Sequence, residues 1–243
     1  MPSEFLGNRY RVFVNKNHTF GTDAVLLANF AIRRKVKKAC DLGTGCGIIP
    51  LLWLDRNLVD YSVGVEIQTD AYNLCEAAVT ENKLDGKFLP INSDLKDLKG
   101  KLPFGEFDVV SCNPPYKKSG AGIVNDELQK QIARHETLCT LDDICSAAAR
   151  LLRFGGKLSL CHRPERLADI FESMRKHKIE PKRLRTVIQR RGNSPWLVLV
   201  EGSLGGKPAL TIEPPLFVEE NGLLSDEMMS IYGEYKKGKG RKI

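Results

Sequence analysis

The 243-residue sequence predicts an α/β fold built on a mainly parallel sheet, and three observations support this. Short apolar runs rich in β-branched residues alternate with helical segments, as in a sheet covered by helices on both faces. A glycine-rich loop joins one of the first runs to a helix. A later run ends at two prolines, which stop a strand because neither has a backbone N–H to donate. We expect a single domain at 1–243, with a core at about 20–203, an appendage at 204–235 and a basic tail at 236–243.

The expected elements follow in chain order. A small amino-terminal hairpin starts at 10–14, a helix begins at Ala24, and strands follow at 38–42, 61–65, 87–91 and 107–112. Helices are expected at 71–83, 141–152 and 164–178, and a strand at 157–161 begins after a stop at Gly155 and Gly156. Segments 183–189 and 196–201 alternate like an antiparallel pair. The appendage should hold the segments 209–212 and 216–218, separated by a break at Pro214 and Pro215, and then a helix at 225–235.

The proline-stopped turn after strand 107–112 comprises Asn113, Pro114, Pro115 and Tyr116. Ligands bind at the carboxyl ends of strands in open α/β sheets. An amide oxygen, a carbonyl released from sheet pairing and a flat ring suit a planar substrate that bears an NH2 group. Acceptors for its two protons would favour a tetrahedral nitrogen, and a stacked base would contribute about 1–3 kcal/mol. The alternative interpretation is an ordinary strand end.

Three further features follow other predicted strands. Gly43-Thr44-Gly45-Cys46-Gly47 leads from strand 38–42 into an apolar helix, an arrangement that presents backbone amides to a ligand. Its G-x-G-x-G spacing, without a P-loop lysine, does not require phosphate. Glu66 lies about twenty residues further on, where a carboxylate reaches a ribose diol. Asp94 follows strand 87–91, near the expected adenine edge, although Asp is also a common turn residue.

Together these residues resemble the Class I S-adenosylmethionine-dependent methyltransferases of the Asn-Pro-Pro-Tyr type, over about 20–200. Segment 41–47 is similar to that family's first motif, Glu66 to its second, Asp94 to its third and 113–116 to its fourth. The resemblance implies a Rossmann-like, seven-stranded sheet, S-adenosylmethionine as cofactor, and catalysis by Asn113, Pro114, Pro115 and Tyr116. The implied cofactor-binding residues are Asp41, Gly43, Thr44, Gly45, Gly47, Glu66, Ile67, Asp94, Leu95 and Asn113.

A narrower resemblance rests on two segments, 20–28 before the first core strand and 133–136 after the fourth motif. The combination is similar to the bacterial valine-tRNA adenine-N6 methyltransferases, which modify adenine 37 beside the anticodon. It implies that Thr22 borders the cofactor and that Arg134 contacts RNA. Alternatively, Thr22 and Asp23 only cap a helix, and Arg134 with Glu136 is a surface ion pair.

The charge of the chain favours an anionic partner, which we expect to be tRNA. Thirty-seven Lys and Arg against thirty Asp and Glu give a net charge of +7. Lys117 and Lys118 directly follow the turn, where an RNA backbone would pass. Alternatives are N5-glutamine methylation of release factors, guanine-N2 methylation of ribosomal RNA, and a noncatalytic nucleic-acid module. A release-factor enzyme would usually carry a helical amino-terminal domain, for which the segment before Gly21 is too short.

Seven cysteines without paired, regular spacings predict neither a disulfide framework nor a metal site. The amino terminus lacks the pattern of a signal peptide, and no apolar run reaches membrane-spanning length. We therefore expect a cytoplasmic enzyme without metal or membrane attachment, as a monomer or weak homodimer.

Overall fold

The computed structural model describes residues 1–7, 9–114 and 139–233. The elements in these ranges are β1 Ser3–Leu6, β2 Tyr10–Phe13, α1 Thr22–Ala31, β3 Val36–Leu42, α2 Ile48–Asp55, β4 Val59–Glu66, α3 Thr69–Asn82, β5 Phe88–Asn92, β6 Phe107–Cys112, α4 Leu141–Leu151, β7 Leu152–His162, a 3₁₀ turn Pro164–Arg166, α5 Leu167–Lys176, β8 Ile179–Ile188, β9 Pro195–Leu204, β10 Thr211–Ile212, β11 Leu216–Phe217, β12 Glu219–Glu220, β13 Leu223–Leu224 and α6 Asp226–Tyr232.

In the described part of the chain, the central sheet has nine strands in the order β10-β8-β9-β7-β6-β3-β4-β5, with β11 also beside β8. Strands β3 to β7 run parallel to one another, while β9 runs antiparallel between β7 and β8. The order reverses where β3 meets both β4 and β6, with Leu42 level with Val65 and with Cys112. Three strands therefore end side by side at the switch point, where α/β sheets bind ligands.

Apolar residues fill both sides of this sheet. Helices α1, α2 and α3 cover one face, around the fully buried Trp53, whose indole N–H donates to the Ala28 carbonyl at 3.0 Å. Helices α4 and α5 cover the other face, through residues such as Ile144 and Ile170. Every residue of α2 from Ile48 to Leu54 is buried, since the helix packs against strands β3 and β4, against α1 and against β2 of the amino-terminal hairpin.

Most of the predicted elements are confirmed, and strand 107–112 has the predicted bounds. The predicted stop at Gly155 and Gly156 is wrong, because β7 begins directly after α4 and runs through both glycines. The strand bulges there, and a Cβ at Gly156 would lie 2.9 Å from the Phe107 carbonyl oxygen. Gly156 allows the close approach of β6, whereas Gly155 has a positive φ of +75°, and neither glycine breaks the strand.

Other boundaries also differ from the sequence prediction; β8, for example, begins at Ile179, four residues before the predicted start at 183. Segment 10–14 is the second strand of the amino-terminal hairpin, since β1 precedes it. Helix α1 starts at Thr22 after the N-cap residue Gly21. The segment predicted as one helix at 164–178 opens with a 3₁₀ turn.

The carboxyl-terminal appendage widens the expected seven-stranded sheet to nine strands. Strands β10 and β11, two residues each, pair in parallel with β8. Helix α6 returns to the body of the protein, and its Tyr232 hydroxyl hydrogen-bonds the Thr22 hydroxyl at 2.8 Å. The appendage thus contacts the start of α1. The expected tail at 236–243 lies outside the described residues.

Candidate functional site

The glycine loop, Glu66 and Asn113 meet at one edge of the sheet because β3, β4 and β6 end there. The loop lies directly on β4, since the backbone amides of Gly43 and Thr44 both donate to the Val65 carbonyl, at 2.9 and 3.0 Å. Gly43, Gly45 and Gly47 all have positive φ, at +68°, +57° and +78°. These backbone conformations are readily accessible to glycine alone.

Two contacts beneath the loop add further steric requirements for glycine. A Cβ at Gly47 would lie 3.1 Å from both the Cys75 sulfur and the Phe88 ring. A Cβ at Gly64, in β4, would lie 2.8 Å from Thr44 Cγ2. Gly64 therefore lets the loop rest on the strand, a role that the sequence does not reveal because it depends on which residue lies opposite the loop.

Glu66 holds the loop through its carboxylate. One oxygen accepts the Gly45 amide and the other accepts the Gln68 amide, both at 2.9 Å, and the residue is only 5% exposed. A carboxylate has about four lone-pair sites, so further acceptor positions stay open for a ligand. The next strand is also tied to this residue, since the Asn92 side chain donates to the Glu66 carbonyl at 2.9 Å.

Two cavities lie on either side of the glycine loop and share Gly43, Gly45 and Asn113. The first, of about 240 Å³, is lined in part by Glu66, Ile67, Ser93, Asp94, Leu95, Pro114 and Cys139. The second, of about 310 Å³, is lined in part by Phe20, Gly21, Asp23, Asp41, Thr44 and Cys46. Together they form a site of the size that proteins use for elongated small molecules.

Asp41 is a buried acid beside the second cavity. It is 1% exposed, and its carboxylate accepts a hydrogen bond from Ser111 on the adjacent strand β6. Burial raises the pKa of Asp41 to about 7, although the Ser111 hydrogen bond lowers it. Its charge therefore depends on pH near neutrality.

Asn113 has a partner on the neighbouring strand. Cys161 Sγ lies 2.9 Å from the Asn113 side-chain oxygen. Burial raises the pKa of the Cys161 thiol well above its usual value, so the thiol is protonated and acts as the donor. The carbonyl oxygen retains a second lone pair. One acceptor position is thus fixed by the fold, and another is left for a ligand.

Asp94 and Leu95 line the outer part of the first cavity. One Asp94 oxygen accepts the Lys96 amide at 2.9 Å, which fixes the turn after β5. Cys139 lies on the same cavity, and burial raises the pKa of its thiol to about 11.

Thr22 is not among the residues that line the second cavity, although its neighbours on both sides are. Its hydroxyl bonds Tyr232, and the lining of the second cavity includes Gly21 and Asp23 on either side of it. The sequence predicts Asp23 only as part of a helix start, and it does bond the Ala24 amide at 3.1 Å. The predicted site residues Pro115, Tyr116, Lys117, Lys118 and Arg134 lie outside the described residues.

Two kinds of feature are absent from the described part of the chain. Within residues 1–7, 9–114 and 139–233, no group of three or more His, Cys, Asp or Glu residues is arranged to hold a metal ion. In the same ranges, no helix has both the length and the apolar character needed to cross a membrane.

The fold and the site together define a methyltransferase. The family model of the methyltransferase small domain matches residues 6–179, and the chain belongs to this family. The prediction of a Class I methyltransferase fold that uses S-adenosylmethionine is thereby confirmed.

Two of the relatives in this comparison carry the same, more specific enzyme name. A tRNA1(Val) (adenine(37)-N6)-methyltransferase of Tolumonas auensis is 28% identical over 217 residues, covering 88% of this chain and 88% of the relative. A protein of the same name from Porphyromonas gingivalis is 28% identical over 187 residues, covering 74% and 72%.

Solved structures share the fold. A predicted O-methyltransferase from Agrobacterium tumefaciens, protein Atu636, superposes with a TM-score of 0.71 at 19% identity, covering 88% of this chain and 97% of the other. TrmN from Thermus thermophilus gives a TM-score of 0.52 at 22% identity, covering 74% and 48%.

Proposed function

We propose that the protein transfers a methyl group from S-adenosylmethionine to the N6 amine of an adenine in tRNA, and that the target is adenine 37 of valine tRNA. The main observation is the position of Asn113, which lies on the wall shared by the two cavities with its amide oxygen fixed by Cys161. The names of the relatives from Tolumonas and Porphyromonas support the choice of substrate.

The residues around the loop fit this cofactor. Ile67, Leu95 and Asp94, which line the first cavity, would hold the adenine of the cofactor, and the Asp94 carboxylate could accept from its exocyclic amine. The open lone pairs of Glu66 would accept hydrogen bonds from the ribose hydroxyls. Asp41, which lines the second cavity, would in its ionised form attract the ammonium group of the methionine part. When bound, the cofactor supplies a methyl group on a positively charged sulfur.

Asn113 and Pro114 prepare the nitrogen for attack. The adenine amine is a poor nucleophile because its lone pair is delocalised into the ring. The side-chain oxygen of Asn113 and the Pro114 carbonyl accept hydrogen bonds from its two N–H groups, which favours a tetrahedral nitrogen whose lone pair is available to the methyl group that the cofactor would supply. These acceptors accelerate the reaction insofar as they match the transition state better than the planar amine.

Cys161 strengthens this arrangement by orienting the Asn113 amide before substrate arrives. A preorganised acceptor does not have to reorient during the reaction, and alignment of nitrogen, methyl and sulfur supplies much of the remaining acceleration. The methylated ammonium is acidic enough to lose its proton to water, so the proposal requires no strong general base.

The test is methyl transfer from labelled cofactor to purified valine tRNA, with the modified nucleoside identified by mass spectrometry. The matched substrate control is the same tRNA with guanine at position 37, and the matched enzyme control is Asn113→Ala. We expect N6-methyladenosine from the first tRNA alone, and turnover lost in the variant while it still binds cofactor. Transfer to release factor or ribosomal RNA instead, or full activity of Asn113→Ala, would refute the proposal.

A further inference from the structure

A third cavity lies at the opposite end of α1 from the proposed active site. It measures about 500 Å³, more than either cavity beside the glycine loop. Residues of α1, α6, β9 and β11 and the end of α2 line it, among them Asn29, Phe30 and Ile231. The second cavity of the active site borders the first residues of the same helix. Ten helical residues span about 15 Å, so the two cavities lie at opposite ends of a helix of about that length.

Three arginines line this cavity: Arg33, Arg56 and Arg185. Arg185 forms a two-pronged ion pair with Glu227, at 2.6 and 2.8 Å. Arg33 pairs with a carboxylate on the appendage, that of Glu213. These two positive charges therefore have negative partners.

Arg56 has only neutral hydrogen-bond acceptors. It donates to the Asn29 side-chain oxygen at 3.3 Å and to the Ile231 carbonyl. Among the described residues, no carboxylate oxygen lies within 4.0 Å of its guanidinium. The adjacent Asp55 bonds Arg9 instead. Burial lowers the pKa of Arg56 despite the Asp55 charge, which indicates that its environment undersolvates a cation.

We propose that this arginine cavity binds a phosphate group, and that the phosphate belongs to the backbone of the RNA whose base enters at the other end of α1. Guanidinium groups suit phosphate because their planar array of N–H donors can bond two oxygens at once. Arg56 contributes the charge that has no ion-pair partner among the described residues, while Arg33 and Arg185 border the cavity with their partners Glu213 and Glu227, of which Glu227 also lines it. The choice of RNA rests on the proposed function, and free inorganic phosphate is the other source of the same chemistry.

The decisive variant is Arg56→Gln, which removes the charge but keeps a side-chain amide donor for the Ile231 carbonyl. We expect its affinity for valine tRNA to fall about threefold to tenfold near 0.1 M salt, and the slope of log affinity against log salt to decrease by about one. The same factor should appear in the KM for tRNA. Wild-type affinity and slope in Arg56→Gln would overturn the proposal.

Arg175→Gln is the matched control. Arg175 is an exposed cation with its own two-pronged carboxylate partner, Glu180, and it lies on α5, across the sheet from the cavity. This variant should bind tRNA like the wild type. An equal loss in Arg175→Gln would mean that total charge is being measured, and would overturn the assignment to this cavity.

Two further measurements, on a second variant and on inorganic phosphate, complete the test. Arg33→Gln alters a side chain that is 57% exposed at the rim. It should fold normally and weaken tRNA binding in the same direction, so the proposal can still be tested if Arg56→Gln misfolds. Inorganic phosphate, compared with chloride at equal ionic strength, should raise the melting temperature of the wild type more than that of Arg56→Gln. Phosphate protection without any tRNA effect would overturn the RNA assignment.

The result of the tRNA-binding experiment can be separated from the result of the methylation experiment that tests the proposed function. Weaker tRNA binding by Arg56→Gln stands even if methylation occurs on a nucleotide other than adenine 37. Conversely, methylation of adenine 37 with unaltered binding by Arg56→Gln would leave the proposed function intact and remove this inference alone.

Discussion

The buried carboxyl group of Asp41 predicts a specific dependence of stability on pH. Its pKa is about 7 in the folded protein, against an ordinary value of 3.8. The difference is about 3 pKa units, and each is worth about 1.4 kcal/mol, which gives about 4 kcal/mol as an order of magnitude. Between pH 4 and pH 7 the folded protein keeps a proton that the unfolded chain has released. The stabilising contribution is therefore complete below about pH 4 and is lost as the pH rises to about 7.

The assay is urea unfolding of the wild type and Asp41→Asn at intervals from pH 4.5 to pH 8. An asparagine does not titrate, so the free energy of unfolding of the wild type should fall relative to that of the variant across this window. The difference should begin to level off near pH 8, about one pH unit above the pKa of Asp41 in the folded protein. A constant difference between the two proteins at every pH would show that Asp41 is ionised throughout, and would refute the argument from burial.

The same carboxyl group should link cofactor binding to protons. If the cofactor ammonium lies beside Asp41 as proposed, binding favours the ionised form, so affinity should increase from pH 5.5 to pH 7 in the wild type and much less in Asp41→Asn. Calorimetry in buffers of different ionisation enthalpy measures the proton release directly. No release below pH 7 would contradict this placement of the ammonium.

Three other substitutions test contacts around the loop. Glu66→Gln places an NH2 group against one of two backbone amides and should weaken cofactor binding at least tenfold by calorimetry; unchanged affinity would contradict the double role of this carboxylate. Gly64→Ala places a Cβ against Thr44, so it should lower the free energy of unfolding by about 1–3 kcal/mol and also weaken cofactor binding. A melting curve like that of the wild type would show that the loop can shift without loss of stability. Cys161→Ala should lower kcat several-fold with cofactor affinity unchanged, and Cys161→Ser, which keeps a donor, should restore kcat; equal kcat in both variants would indicate that the thiol does not orient Asn113.

The sequence predicted the parts of the site that are local in the chain. The glycine spacing and the proline stop at Pro114 act within a few residues, so the loop and strand 107–112 were placed correctly. Gly64 and Cys161 matter through residues on neighbouring segments, and which residues face each other depends on the assembled sheet. Strands β10 and β11 were expected only as parts of an appendage, because two-residue strands have no periodicity to show where they pair.

The hydroxyl contact between Thr22 and Tyr232 joins residues 210 positions apart in the sequence. Since residues at the start of α1 line the second cavity, this contact links the end of the described chain to the wall of the proposed cofactor site. Proteolytic cleavage within α6, or truncation there by a premature stop codon, should therefore weaken the affinity for the methyl donor before it unfolds the sheet.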